Sequence, residues 1–330
     1  MRLSILRKTI AASLLISASA AAWAQSPAAL DQLNTTQQHR DLDQAGESLY
    51  DKDSLAPELY PHEADDIGPQ SVLSTKSPRT LFEGVADVQY YYSDNAFLDH
   101  NVRLPAGVLV SSAQFSLAPT PSPLGNGQSA PRVGFREQWF DFLQYDSHGL
   151  NLNAFDFNVQ TVFAEERWSY KNWIFGAGFD YNRLLTTSAY RQFYSEYVPR
   201  WEATRIFSTG RHQAFSLGYQ GYYHFGNSSV FQLPDSGFAD RLDQVLLATY
   251  SYGVTSDFIL QPYYTFRYTH FTGENREDYE NSVGLGLYYF IGNYVSARAY
   301  VGYDVRNSSV LDAEYHQFDA GGGLNFTIRF

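Results

Sequence analysis

The feature that most constrains this chain is a strict alternation of apolar and polar residues at its C-terminal end. The apolar set there is Leu324, Phe326, Ile328 and Phe330, and the polar set is Asn325, Thr327 and Arg329. Successive side chains of a β-strand point to opposite faces, so this pattern predicts a strand with one apolar and one polar face. The alternation recurs at 173–182, 215–224, 283–289 and 295–304. The repetition predicts an all-β chain.

Short and long connections alternate between these segments. Short turns are predicted near 170–172, 208–210, 255–257 and 292–293, and longer loops near 147–150, 186–190, 226–240, 272–278 and 307–313. Counting from Leu81 gives about twelve strands. The proline-rich stretch 119–131 breaks the pattern and is predicted to be one long periplasmic turn, so ten to fourteen strands stay open. Bacterial transmembrane barrels have an even number of strands, short periplasmic turns and longer external loops. We therefore predict a transmembrane antiparallel up-and-down β-barrel over residues 80–330, with both termini periplasmic.

The composition separates a membrane barrel from a soluble β-protein. Aromatic residues make up 17% of the chain, with 26 tyrosines and 24 phenylalanines, yet the mean hydropathy is −0.34. A membrane barrel spreads aromatic residues over a lipid-facing band and two interfacial girdles and keeps a polar lumen. A soluble lipocalin-like barrel or sandwich, the main structural alternative, would have about eight strands and an apolar interior. Outer-membrane lipids are therefore the expected surroundings.

The N-terminus predicts export from the cytoplasm. Three basic residues precede an apolar stretch at 10–23, which ends in small residues before Gln25. This arrangement is typical of a cleaved signal peptide, which we assign to residues 1–24. No later stretch of the sequence is long and apolar enough for a transmembrane helix.

Residues 25–79 have a different composition, rich in Asp, Glu, Gln, Pro and Ser. The stretch 28–50 could hold a helix with Leu30 and Leu33 on one face, although Gly46 interrupts the pattern. Four prolines between positions 57 and 78 then mark a linker. The segment is predicted to be a periplasmic extension, either a flexible leader or a plug or docking element for a periplasmic partner.

Charge, cysteine content and the lack of motifs exclude several classes of function. Beyond the signal peptide, 20 basic residues stand against 35 acidic residues, a formal charge of −15, so nucleic acid is not expected as a partner. The sequence has no cysteine, which excludes disulfides and a lipid-modified cysteine. It has no Walker motif, HExxH helix or CxxC pair, and no His-x-Ser arrangement as in an outer-membrane phospholipase. No enzymatic activity, catalytic residue, metal site or cofactor is expected.

Charged residues on the polar face of the strands are the candidate functional residues. The inward-facing set comprises Asp180, Glu196, Arg200, Glu202 and Arg298, whereas alternation places Phe193 on the outer face. Asp180 and Arg200 have similar heights on neighbouring strands, so they are expected to pair. Mixed charges at mid-depth would form either a constriction that selects polar or charged solutes or a lumen packed shut by ion pairs.

Two segments resemble known families. The C-terminal strand, with Phe326, Ile328 and Phe330 on its apolar face, resembles the last strand of Gram-negative outer-membrane proteins. In those proteins the final aromatic residue is read by the barrel-assembly machinery, so the resemblance implies that machinery as a partner and an outer-membrane location. The segment 88–98 resembles the opening strand of porin-like barrels associated with exopolysaccharide export.

Together these features predict a passive channel for small hydrophilic solutes. Two alternatives remain open. One is a barrel that serves polysaccharide export or envelope assembly through residues 25–79. The other is a surface enzyme or adhesin that acts through the external loops.

Overall fold

The computed structural model describes residues 80–98, 100–101, 103–144, 152–210, 212–227, 240–273, 275–292 and 294–330, together with Ala29 and Leu33. The predicted signal peptide, residues 1–24, lies outside the described residues, as does the predicted extension, residues 25–79, apart from those two positions. Within the described part, no helix is long and apolar enough to cross a membrane.

Twelve long strands form a closed antiparallel barrel, and one short strand is added to it. The strands are β1 (Phe82–Ser93), β2 (Ala106–Leu117), β3 (Ser122–Leu124), β4 (Gly127–Gln144), β5 (Phe157–Tyr170), β6 (Trp173–Thr186), β7 (Gln192–Gly210), β8 (Gln213–Asn227), β9 (Arg241–Gly253), β10 (Phe258–Phe271), β11 (Arg276–Ile291), β12 (Val295–Ser308) and β13 (Tyr315–Arg329). Single 3₁₀ turns occur at Leu152–Phe155 and Leu311–Ala313. Each long strand pairs with the next, β2 pairs with β4, and β1 pairs with β13 to complete the barrel. The predicted fold is confirmed.

The two ends of the barrel differ in their connections. We call the end where β1 begins and β13 ends the turn end, and the opposite end the loop end. At the turn end, β5 and β6 are joined by two residues, and Lys171 adopts a φ of 53° there. β7 continues through the turn predicted at 208–210 and ends at Gly210, which pairs with Gln213 after a register shift between Ser208 and Gly210.

The proline-rich stretch 119–131 is not one long turn, contrary to the sequence-based prediction. It contains β3 and a tight reversal at Gly125, whose φ of 59° suits glycine. β4 then runs through Pro131, which pairs with Glu166 of β5. Proline is tolerated here because β4 extends past the end of β2, where pairing stops at Val133, so one side of the strand needs no N–H donor.

The outer face of the barrel is apolar. Val88, Phe179, Val283 and Leu324 lie on different strands and are 46–57% exposed. Exposed apolar side chains on so many strands are unfavourable in water but match a lipid-facing band. The alternation predicted from the sequence therefore separates a lipid face from a lumen face.

Aromatic side chains cluster on the outer face towards both ends. At the turn end, the rings of Trp168 and Tyr170 stack with centroids 5.6 Å apart. Towards the loop end, the rings of Tyr181 and Tyr197 lie 5.0 Å apart, and Tyr268 lies 5.2 Å from its neighbour on β11. Two such bands agree with the interfacial girdles of a membrane barrel.

Candidate functional site

The lumen wall carries a carboxylate–guanidinium network on β4 to β7. Arg200 binds Asp180, with 3.4 Å between Nε and Oδ1, and it also binds Glu165 on β5. Glu165 accepts a second bond from Arg132, 2.5 Å away, and Arg132 reaches Glu83 of β1 at 3.0 Å. The pairing expected for Asp180 and Arg200 therefore forms. Glu165, the centre of the network, is not evident from the sequence, because two adjacent glutamates occur there and only the register of β5 decides which points inward.

Glycines allow this network to span a strand. Glu165, Gly178 and Arg200 are aligned across β5, β6 and β7. A Cβ at Gly178 would lie 3.0 Å from Arg200 Nε, so a side chain there would obstruct the guanidinium. The glycine thus lets Arg200 reach over β6 to the carboxylate of Glu165.

Glu202 and Arg298 also contact their partners across a glycine of the strand between them. Arg167 Nε lies 3.0 Å from Glu202 Oε1 across Gly176. On the other side of the barrel, Arg298 donates to Gln89 at 2.7 Å across a glycine of β13. These three glycines therefore let long polar side chains cross a neighbouring strand, whereas Gly284 and Gly286 lie against tyrosine rings.

Arg298 also forms a bidentate bond with a carboxylate of β1. Its Nη1 and Nη2 atoms lie 2.7 and 2.9 Å from the two carboxylate oxygens of Asp87. Planar guanidinium and carboxylate groups match in this geometry, which fixes both side chains. Arg298 and Arg200 stand on nearly opposite walls, since four strands separate β7 from β12 in one direction and six long strands in the other.

Glu196 belongs to a separate network near the loop end. Its carboxylate lies 2.9 Å from His224 Nδ1 and accepts a 2.8 Å bond from Asn182. His224 Nε2 lies 3.4 Å from Asp243, which also binds Arg241. His224 is only 4% exposed. Glu196 therefore does not share the mid-lumen position of Arg200 and Glu202.

Further charged pairs line the loop-end half of β11 and β12. Arg306 Nη2 lies 2.9 Å from Glu280, which also accepts a bond from the Tyr315 hydroxyl at 3.1 Å. Arg276 lies 2.6 Å from Asp278 on the same strand. These pairs were missed from the sequence, although Glu280 and Arg306 occupy inward positions of regular alternation.

The loop-end half of the lumen has an apolar wall on β1 to β7, which we call the apolar patch. It comprises Tyr91, Val108, Val110, Phe140, Phe142, Phe157, Val159, Leu184, Phe193 and Tyr194. Phe193 is thus inside the barrel and not on the outer face as predicted. The reason is the register shift after Leu184, which pairs with Tyr194 while the next residue pairs with Gln192. The patch itself was missed, because only a polar lumen was expected.

Two residues of the N-terminal segment lie against this wall. Ala29 and Leu33 are helical, each is 4% exposed, and both belong to the same cluster as the apolar patch. Their spacing of four places them on one face of a helix. The sequence pointed to a helix in this region, and it left a plug open beside a flexible leader and a docking element.

A cavity of about 210 Å³ opens within the turn-end half of the lumen. Its lining includes Arg132, Arg136, Arg167, Arg298 and Arg329, with Glu83 and Asp87. One water molecule needs roughly 10–15 Å³ of such space, so the cavity has room for a small solute. This is the clearest candidate binding region in the described part of the chain.

The C-terminal strand lies beside β1 at the barrel seam. Phe326, Ile328 and Phe330 are exposed on the outer face, and the Phe330 ring lies 5.8 Å from that of Phe82. The Phe82 N–H donates to the Phe330 carbonyl oxygen at 2.8 Å. Recognition of Phe326, Ile328 and Phe330 by the barrel-assembly machinery stays a prediction. Within the described residues, no group of His, Cys, Asp or Glu is arranged to hold a metal ion.

Comparison with solved structures gives distant matches. No protein-family model matches the chain, and no curated protein matches it. An outer-membrane channel from Pseudomonas putida F1 is 12% identical, with 82% of this chain and 100% of that chain covered and a TM-score of 0.49. The KdgM porin in complex with disordered oligogalacturonate is 13% identical, with 73% and 98% covered and a TM-score of 0.39. The β-domain of the Bordetella autotransporter BrkA is 10% identical, with 74% and 99% covered and a TM-score of 0.45. At such low identity and superposition, these similarities carry no functional argument, which rests on the lumen itself.

Proposed function

We propose that this chain is an outer-membrane channel through which small hydrophilic solutes diffuse. The supporting observation is a closed barrel with an apolar outer face and a lumen lined by charged side chains around a cavity of about 210 Å³. Such a lumen offers hydrogen bonds that replace part of the hydration of a polar solute, while the outer face contacts lipid.

The constriction would lie between the walls that carry Arg200 and Arg298. Both guanidinium groups are held by carboxylates. Arg200 binds Asp180 on the neighbouring strand β6, and Arg298 reaches across β13 to Asp87 on β1. Because these bonds fix the side chains against the wall, the charges keep their positions as a solute passes. A fixed charge pattern at mid-depth would select solutes by charge and size.

In this proposal the turn end, with both termini, faces the periplasm, because outer-membrane barrels place short turns there. Residues 1–24 would be removed on export, and residues 25–79 would remain as an extension on the periplasmic side. Ala29 and Leu33 of this extension lie in the lumen, and the rest could meet a partner. Phe326, Ile328 and Phe330 would be read by the barrel-assembly machinery. Polysaccharide export and a surface enzyme or adhesin gain no specific support from the lumen geometry.

The direct test is single-channel recording of the chain from Gln25 onward, refolded and reconstituted in a planar bilayer. A shift in gel mobility on heating first establishes that the barrel is folded. Stable ohmic current steps are expected. A folded barrel that stays silent, both with residues 25–33 present and after their deletion, would refute the channel. Deleting residues 25–79 separates the channel from the export or assembly alternative. If the chain acts in export or assembly through this segment, the deletion abolishes its role in cells while the barrel stays folded.

A further inference from the structure

We propose that the turn-end cavity binds small anions that carry carboxylate or phosphate oxygens, and that the channel therefore prefers anions. This inference rests on the proposed channel function and adds a substrate class to it. It does not follow from the overall charge, because the exported chain carries a formal charge of −15.

The first support is the composition of the lining. Five guanidinium groups but only two carboxylates line the cavity. Glu83 is shared between two of the arginines, with Oε1 3.0 Å from Arg132 and Oε2 2.7 Å from Arg329. One negative charge therefore faces two positive charges at this point, and the lining as a whole keeps a positive excess.

The second support is the exposure of the two signs of charge. The side chain of Glu83 is 5% exposed, whereas those of Arg329 and Arg167 are 65% and 30% exposed. Glu165, which holds Arg132 from behind, is also 5% exposed and does not line the cavity. A solute in the cavity therefore meets Arg329 and Arg167 before it meets Glu83. Asp87 is the exception, since its side chain is 16% exposed and that of its partner Arg298 is 9% exposed.

The third support is the chemistry of guanidinium groups in a narrow lumen. Their planar donors match the paired oxygens of carboxylates and phosphates. Low-dielectric walls concentrate the field of a one-signed lining and raise the local concentration of the opposite ion. Anions would thus be enriched in the cavity although the chain as a whole is acidic.

The test is the reversal potential of the reconstituted channel in a KCl gradient. The unmodified channel should prefer chloride over potassium. The double variant Arg167→Gln with Arg329→Gln removes two unit charges. It should lower that preference by at least about fivefold, the effect of a single unit charge about 4 Å away at near-water dielectric. Glu83 keeps Arg132 in this variant, whereas Glu202, whose side chain is 15% exposed, loses Arg167. Heat-modifiable gel mobility therefore has to establish first that the double variant folds.

The matched control is Arg205→Gln. Arg205 is exposed at the turn end on the outer face, where its guanidinium lies 5.3 Å from the Trp173 ring centre. This substitution removes one positive charge from the turn end and leaves the lumen lining unchanged, so the ion selectivity should not change. Arg329→Lys, which keeps the charge, should also retain anion preference.

Inorganic phosphate serves as the oxyanion probe. Phosphate should reduce the chloride current of the unmodified channel, and the double variant should lose this block. A conducting channel that prefers potassium, or a phosphate block unchanged in the double variant, would overturn the anion site and leave the channel function standing. A silent folded barrel would instead refute the channel.

From an independent observation we further infer that Ala29 and Leu33 keep their place against the lumen wall when the protein is in a bilayer. Both side chains are 4% exposed against the apolar patch, which would otherwise present Val108, Phe140 and other apolar groups to a water-filled lumen. Covering that wall with apolar side chains is favourable at about 25 cal/mol per Å². The patch thus has an occupant from the same chain.

The connection to the barrel is long enough for this arrangement. Residues 34–79 separate Leu33 from Thr80 at the turn end. A chain of that length can span at most about 150 Å, and a strand the length of β1 spans about 40 Å. The segment can therefore reach the loop-end half of the lumen from the periplasmic side.

Cysteine labelling tests this docking, because the chain has no cysteine of its own. Leu33→Cys should react with a water-soluble maleimide at least tenfold more slowly than Ser256→Cys, which is exposed on a turn. Deleting residues 25–33 should raise the single-channel conductance. Equal labelling rates, or a conductance that the deletion does not change, would overturn the inference.

Discussion

The bond between Asp180 and Arg200 gives the most quantitative prediction. Arg200→Gln leaves the Asp180 carboxylate, which is 6% exposed, without the guanidinium that compensates its charge. Removing one partner of a buried pair typically costs about 3–5 kcal/mol, because the remaining charge stays desolvated. Glu165 suffers less, since Arg132 still binds it. We therefore expect Arg200→Gln to lower the free energy of unfolding by about 4 kcal/mol.

The assay is a guanidinium chloride titration of the barrel in lipid vesicles, followed by tryptophan emission. Asp180→Asn alone should cost about 1–2 kcal/mol, because Arg200 keeps Glu165. The double variant should be more stable than the sum of the single effects by about 1–3 kcal/mol. The control Arg205→Gln, on the outer face, should cost about 0.5–1 kcal/mol. A cost below 1 kcal/mol for Arg200→Gln, or strict additivity in the double variant, would refute the reasoning.

Two further predictions concern the lumen glycines and the C-terminus. Gly176→Ala should destabilise the barrel, because the new Cβ would lie 2.5 Å from the Glu202 carboxylate. Gly210→Ala should be tolerated, since the atom nearest to its Cβ is 3.7 Å away. The thermal unfolding temperatures of the two variants test this difference. Phe330→Ala should reduce the yield of heat-modifiable barrel in cells but not in refolding from urea, because the in vitro route bypasses the assembly machinery. Equal yields of the unmodified protein and Phe330→Ala in cells would argue against an assembly signal.

The fold was predictable because alternation is a direct consequence of strand geometry. Regular segments such as 295–304 and 323–330 fixed both the strand type and its lipid face. The stretch 119–131 was not predictable, because a proline is tolerated in β4 only where β2 has already ended, and that depends on strand length. Phe193 was misplaced for a similar reason, since a register shift reverses the facing of every residue beyond it.

The candidate site was predictable only where the alternation within a single strand determined which way a side chain points. The inward direction of Arg200, Glu202 and Arg298 followed from alternation, as did the pairing of Asp180 with Arg200. Glu165 could not be chosen over its neighbour without the register of three adjacent strands. The apolar patch was not predicted either, because lumen walls of such barrels are usually polar. In this protein Ala29 and Leu33 of the same chain cover the patch.

The position of the cavity at the barrel seam has a consequence for how the protein matures. Glu83 and Asp87 come from the first strand, and their partners Arg329 and Arg298 come from the last two strands, more than 200 positions later. Such distant pairs form late, since all intervening strands must already be in place. Ion selectivity would therefore appear abruptly, when the ends of the sheet meet, and a barrel stalled in an open state would conduct without discrimination. Selectivity could thus report completion of folding in a single molecule.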